Sequence, residues 1–351
     1  MPRPERVVGW DIGGAHVKAS RVEGGRLRDV AQWACPLWQG PEPLQQALAA
    51  AQARWPDLAD ATHAVTMTGE MVDRYPHREA GVAELATALA AALPGRLRFY
   101  AGERGWCGAA EVGARWEAIA SANWLATAQL AARAVDDGVL VDIGSTTTDL
   151  IALRGGRPAA QGRSDAERLA SGELVYQGVV RTPLCALGPR VRWAGREANV
   201  MNEFFATTAD VYRLSGELDP AHDQQPSADG AAKDLDATRQ RLARMVGRDA
   251  REAPEAEWRA LAQAWRAAQL AELRLNLERV IAAAALPAHA PLVAAGCGDF
   301  LAEALARALS RPCRGFAALV LDADAPAGLA RWAQVAAPSV AVALLAAAEP
   351  G

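Results

Sequence analysis

Apolar and polar positions follow one layout in two stretches of the chain. Over residues 7–26, VVGWDIGGAHVKASRVEGGR, an apolar run reaches Asp11-Ile12-Gly13, turns, leaves through a second extended run and turns again at Gly24-Gly25. Residues 138–157, GVLVDIGSTTTDLIALRGGR, repeat this without a gap. Asp142, Ile143, Gly144, Gly155, Gly156 and Arg157 stand where Asp11, Ile12, Gly13, Gly24, Gly25 and Arg26 stand. Glycine pairs between extended runs mark hairpins, so each copy predicts a three-stranded meander. The third strands are RLRDVAQW and RPAAQG, and the Asp-Ile-Gly turn lies between the first two.

Elsewhere the period lengthens to that of helices. PEPLQQALAAAQARW, VAELATALAAAL and SANWLATAQLAARAV predict helices in the first half, with HAVTMTG and RLRFYAG as strands. In the second half the pattern predicts a long helix over about 255–285, the strand PLVAAGCG, the helix DFLAEALARAL and a buried C-terminal helix. Such alternation implies α/β layers. A chain of 351 residues exceeds what one core usually serves, so two domains are expected, 1–135 and 136–351. Residues 162–254 have no counterpart in the first half and read as an insertion with its own surface, of a size that often shapes a substrate site.

Composition narrows the function. With 51% hydrophobic and 22% charged residues the chain is globular, and a net charge of −4 with no basic, aromatic-interleaved run argues against nucleic acid as a partner. Cys35, Cys107, Cys185, Cys297 and Cys313 are scattered and odd in number, which suggests reduced, mostly buried thiols rather than disulfides or a zinc knuckle. MPRPERVVGW lacks the order of an export signal, so a cytoplasmic protein is expected. The most membrane-like stretch, AQVAAPSVAVALLAAAEPG, is alanine-rich and broken by Pro338, whereas a span needs about 20 strongly apolar residues. No membrane partner is expected, and oligomeric state stays open, a homodimer included.

The repeated turn carries the chemistry. Glycine at a strand end lets backbone approach a ligand, and successive N–H groups suit phosphate oxygens, which selects Gly13, Gly14 and Gly144. Asp11 and Asp142 at the strand tips, with Asp149, are candidate Mg²⁺ ligands. Ser145, Thr146 and Thr147 add hydroxyl donors, Lys18 is the cation of the first copy, and His16 lies inside the first loop. Two such loops facing each other would clamp a di- or triphosphate around the metal. Gly296-Cys297-Gly298 adds a glycine turn between strand and helix, although no GxxxxGK[ST] motif occurs. Thr68-Gly69-Glu70 at a strand end offers Glu70 as a base, and Asp73, Arg74, Arg78, Glu173 and Arg181 are candidate substrate contacts. Trp106, Trp116 and Trp124 are read as core packing first and ring stacking second. The histidines form no HExxH or HxH set, which argues against zinc.

DIGG at 11–14, DIGSTTTD at 142–149 and AAGCGD at 294–299 resemble the two phosphate loops and the adenosine loop of the actin, sugar kinase and Hsp70 superfamily. That resemblance implies two ribonuclease H-like domains of the actin-like ATPase fold, with the insertion in the second. More closely, VGWDIGGAHVKA, VTMTGEMVDRYPHREAGV, ERLASGELVYQGVVRTPLCAL, FFATTADVYRL, SADG and RLARMVGRD look like the hydantoinase/oxoprolinase-related proteins of tetrahydromethanopterin-linked one-carbon metabolism. That family includes a synthase of methanofuran biosynthesis. The resemblance therefore implies a transferase that joins an aminomethylfuran-methanol diphosphate to the phenol of a γ-glutamyl tyramine or tyrosine unit and releases diphosphate. The Ala- and Trp-rich composition looks bacterial, so the resemblance implies the methylofuran version of methylotrophs. Two other readings stay open: an ATP-dependent kinase or oxoprolinase-like hydrolase with ATP in the same loops, and a nucleotide-sensing scaffold.

Overall fold

The computed structural model describes residues 6–349, so the reading of the first five residues lies outside it. Two compact units divide the chain. Among the described residues, one comprises 6–137, Leu153–Pro158 and 314–349; the other comprises Gly138–Ala152 and Ala159–Cys313.

The first unit is built on β1 (Arg6–Ile12), β2 (His16–Glu23), β3 (Arg26–Ala34), β4 (Thr62–Met67), β5 (Arg96–Tyr100) and β6 (Trp106–Cys107), in the order β3-β2-β1-β4-β5-β6. β1 to β3 form the predicted antiparallel meander, and β4 and β5 run parallel to β1. Helices α1 (Glu42–Arg54), α2 (Arg78–Ala92), α3 (Val112–Ile119) and α4 (Asn123–Ala132) connect or cover these strands. Trp10, Ile12, Val65, Met67 and Phe99 pack with Leu48, Leu85 and Leu89 in one core.

The second unit begins with β7 (Gly138–Ile143) and β8 (Thr148–Arg154), neighbours joined by the second Asp-Ile-Gly loop. The expected third meander strand shrinks to β9 (Arg157–Pro158), because the chain leaves into α5 (Asp165–Ser171). Both Gly-Gly turns survive: Gly24 and Gly25 have φ of 56° and 75°, Gly155 and Gly156 of 56° and 71°. Two consecutive positive φ values define a tight hairpin that residues with a Cβ rarely adopt.

After β10 (Leu174–Val175) come the hairpin β11 (Arg190–Trp193) and β12 (Arg196–Asn199), α6 (Thr208–Ser215), α7 (Leu235–Arg244) and α8 (Glu255–Ala283). β13 (Leu292–Ala295), α9 (Asp299–Ala308) and β14 (Cys313–Gly315) follow. The sheet order is β10-β8-β7-β13-β14, so part of the expected insertion joins the sheet as an edge strand. Val139, Val141 and Ile143 share a core with Tyr212, Leu242, Trp258, Trp265 and Leu277, which also ties the insertion's helices to the sheet.

The chain ends in α10 (Ala317–Val320), α11 (Ala327–Val335) and α12 (Ala337–Ala347). Read from sequence with the second domain, these residues belong by packing to the first unit. α12 lies on β1, β2, β4 and α4. A Cβ on Gly9 would stand 2.1 Å from Ser339 O, so only glycine lets the helix approach β1 this closely. Ser20 and Ser339 hydroxyls meet at 2.6 Å beside it. Among the described residues no single helix is long and apolar enough to cross a membrane. α11 and α12 pass that test only as a pair, bent by 97°, and α12 is buried.

Candidate functional site

Within the second unit, β7 carries Asp142 and Ile143 to a closed turn in which Gly144 N–H donates to Thr147 O at 2.8 Å. The segment after β10 wraps this turn from outside. Val179 N–H donates to Gly144 O, and Val180 and Arg181 N–H groups both donate to Ser145 O, at 3.0, 3.1 and 2.9 Å. Thr148 Oγ1 donates to Gln177 O at 2.7 Å. The carbonyls at Gly144 and Ser145 are thereby occupied, while the N–H groups of Ser145 and Thr146 meet no backbone acceptor among the described residues. Such a turn presents donors to an anion.

Three glycines make the fit. A Cβ on Gly178 would lie 2.5 Å from Gly144 O, Ser145 C and Thr146 N. One on Gly296 would lie 2.2 Å from Ile143 O and 2.6 Å from Asp142 Oδ1, and one on Gly298 2.5 Å from Ile143 Cγ2. Gly298 N–H donates to Ile143 O at 2.8 Å, just before α9 begins at Asp299. The structure thus brings Gly144, Ser145, Thr146, Thr147, Gly296 and Gly298 together around Asp142. Arg181 joins them, its Nη1 3.4 Å from Thr146 Oγ1, and burial lowers its pKa from the ordinary guanidinium value. A guanidinium stays charged even so.

The donor set around Asp142 fits Mg²⁺. That ion takes one or two carboxylates plus phosphate oxygens and water, and here a carboxylate stands beside three hydroxyls. No group of three His, Cys, Asp or Glu side chains could cage a metal among the described residues. Asp149, the other expected ligand in this unit, does not fit: it is ion-paired with Arg168, which is 2% exposed. Burial pushes its carboxyl pKa up, and Arg168 opposes that rise. Glu173 is likewise committed. Its carboxylate accepts from Gln161 N, Gly162 N and Ser171 Oγ at 2.6, 2.9 and 2.8 Å, pinning a loop instead of facing a substrate.

Within the first unit, Gly13 N–H donates to His16 O at 2.9 Å, closing the matching turn. A Cβ on Gly14 would meet Val72 Cγ1 at 2.8 Å. His16 is buried, not exposed as a turn histidine usually is. Asp11, also buried, is flanked in register by Lys18 on β2 and Thr66 on β4. Lys18 corrects the sequence reading: its Nζ donates to Val335 O at 3.1 Å, capping the last carbonyl of α11.

Glu70 is 1% exposed and accepts from Ser121 Oγ at 2.8 Å. Ser121 holds a φ of 51°, a left-handed conformation uncommon for serine, and Gly81 packs against the Glu70 backbone. Arg74 pairs with Glu84 and Arg78 lies over the Trp116 ring, while Asp73 is exposed. Trp124 is core, whereas Trp106 donates to Glu349. Of the cysteines, Cys35 and Cys107 are buried, Cys185 and Cys297 half-buried and Cys313 exposed. Sequence reasoning missed Gly178, Ser121 and Arg168. A lone glycine between the apolar runs LVYQ and VV was the available signal for Gly178.

Residues 61–318 match the model of the hydantoinase/oxoprolinase family, well over half of the chain. The chain belongs to that family. A protein of Methanocaldococcus jannaschii named (4-{4-[2-(gamma-L-glutamylamino)ethyl]phenoxymethyl}furan-2-yl)methanamine synthase is 29% identical over 244 residues, covering 69% of this chain and 72% of that protein. A protein of the same name from Methanococcus vannielii is 45% identical over 73 residues, 21% of this chain and 32% of that one. Among solved structures, nucleotide-free acetone carboxylase superposes with a TM-score of 0.57 at 12% identity, over 97% of this chain and 70% of that one. The family member described here thus has a mixed α/β fold shared with acetone carboxylase.

Proposed function

We propose that this hydantoinase/oxoprolinase family member is a transferase of methanofuran-type cofactor assembly, in its methylofuran version. It joins an aminomethylfuran-methanol diphosphate to the phenol of a γ-glutamyl tyramine or tyrosine unit. The names of its relatives support the substrate class. The observation that carries the chemistry is the turn at 144–147, walled by Gly178 and Gly296 and joined by Arg181.

In this reaction the bond between the furfuryl methylene and the diphosphate oxygen breaks, and its electron pair leaves with diphosphate. The phenol oxygen forms the new bond to that carbon and gives up its proton. A furfuryl carbon loses its leaving group readily once the departing charge is met, so fixed donors aimed at that charge lower the barrier. The free N–H groups of Ser145 and Thr146 and the Arg181 guanidinium are such donors. Mg²⁺ at Asp142 would supply further counter-charge. The departing diphosphate, itself a base, takes the phenol's proton.

We also read the two sheets as copies of one ribonuclease H-like domain. The matched Asp-Ile-Gly turns and Gly-Gly hairpins support this, as does the placement of β1 and β7 between a hairpin neighbour and a parallel strand.

The test is turnover of aminomethylfurfuryl diphosphate with a phenolic amine, read as coupled product and released diphosphate, beside thermal-shift measurements. Stabilisation by Mg·diphosphate but not by Mg·ATP is expected. Turnover of neither amine, with stabilisation by Mg·ATP alone, replaces this reading with an ATP-dependent kinase or hydrolase.

A further inference from the structure

The turn at Tyr176 and Gln177 plays no part in the phosphate chemistry above, yet it is built with care. Tyr176 is 61% exposed, more than any other large apolar or aromatic side chain among the described residues. A lone exposed aromatic is ordinary; one on an immobilised backbone beside a ligand loop is not. Val175 pairs with Thr148, so the chain leaves the sheet alongside Thr147. Gln177 N–H donates to Val175 O at 2.8 Å, which closes a three-residue turn with Tyr176 at its apex. Gln177 O is held by the Thr148 hydroxyl, and Gly178 is packed against Gly144, Ser145 and Thr146.

The second feature is the Gln177 side chain. Its Oε1 is buried and accepts no hydrogen bond among the described residues. A buried acceptor without a donor is costly, and in native structures it calls for a specific explanation. Arg181, five residues on, is tied to the same turn through its N–H to Ser145 O at 2.9 Å and its Nη1 to Thr146 Oγ1 at 3.4 Å. An aromatic ring, an unmet acceptor and a cation are therefore carried by the six-residue segment 176–181 whose backbone is fastened to the 144–147 turn.

We propose that Tyr176 and Gln177 recognise the organic part of the phosphorylated ligand. Tyr176 stacks on its planar ring, and Gln177 Oε1 accepts from an N–H or O–H borne by that ring. The inference rests on the reading of 144–147 as the phosphate seat. In a furfuryl diphosphate only one methylene separates the ring from the phosphate oxygen, so a diphosphate seated in the turn leaves its ring at the rim. A simple phosphate ligand would leave both side chains without a role.

The test is calorimetric binding to the intact protein of three ligands with Mg²⁺: inorganic diphosphate, furfuryl diphosphate and aminomethylfurfuryl diphosphate. Tyr176→Ala should weaken both furan ligands about 10-fold and leave inorganic diphosphate unaffected, and Tyr176→Phe should restore them. Gln177→Leu should weaken only the amine-bearing ligand. Equal effects on all three ligands, or none, overturn the proposal. Should the wild type bind the furan ligands no better than inorganic diphosphate, the functional reading falls, and Mg·ATP against Mg·triphosphate becomes the deciding pair. Loss of the ATP preference in Tyr176→Ala then upholds ring recognition, and an unchanged preference overturns it.

Discussion

The indole N–H of Trp10 donates to Nδ1 of His63 at 3.1 Å, inside the core of the first unit. An indole can only donate, so Nδ1 is the acceptor and the other ring nitrogen carries the proton, which it gives to Pro94 O at 2.8 Å. The imidazole is neutral. Protonation would place a second donor against the indole, and burial already lowers the pKa below the ordinary 6.5.

Linkage fixes the sign of the consequence. The unfolded chain takes up this proton near pH 6.5 and the folded one only at lower pH. Stability from His63 is therefore complete above pH 6.5 and declines as pH falls from there toward the folded pKa, by at most about 1.4 kcal/mol per pH unit. The gap in thermal midpoint between wild type and His63→Gln should narrow as pH drops below 6.5. A gap constant from pH 5 to 8 would contradict the neutral ring.

Asp142 and Asp149 should separate cleanly. Arg168→Met strands the buried Asp149 carboxylate and should cost about 3–5 kcal/mol of stability. Asp142→Asn should leave the thermal midpoint nearly unchanged and abolish the Mg²⁺ dependence of diphosphate binding. Loss of that dependence in Asp149→Asn at full stability would restore Asp149 as a metal ligand.

Lys18 and Arg181, both read from sequence as candidate ligand contacts, should separate as a helix cap and a phosphate contact. Lys18→Met removes a helix cap and should cost under about 1 kcal/mol, leaving diphosphate affinity within about 2-fold of wild type. Arg181→Met should reduce turnover about 100-fold. Calorimetry and steady-state rates on both variants decide the matter.

Gly178→Ala is the sharpest test of the turn. The added methyl meets backbone, not a movable side chain, and must displace the 144–147 loop. Diphosphate affinity should fall at least about 10-fold. The circular dichroism spectrum should be retained. Unaltered binding would show that the wall at Gly178 does not shape the seat.

The hairpins and loops were legible because their signals are local: paired glycines, alternating runs and an ungapped repeat. The turn's glycines at 144, 296 and 298 were legible for the same reason. What escaped was set by distant packing. Nothing near Lys18 reveals that Val335 O waits for its ammonium, and nothing near Asp149 reveals Arg168. Glu173 reads like a substrate group until the backbone of residues 161–162 is seen to fold over it. The third strand of the second meander is short because, after Ala159 N–H gives one more ladder bond to Ala152 O at 2.7 Å, the chain leaves the sheet for α5.

The seat of α12 on β1 has a consequence for biosynthesis. The strand leaves the ribosome well before its helical cover, with the whole second unit translated between them. During that interval the notch at Gly9 stands open, and the nascent sheet is a natural client for chaperones. Ribosome-stalled chains ending before Ala337 should be protease-sensitive across β1, and release of the final helix should make them resistant.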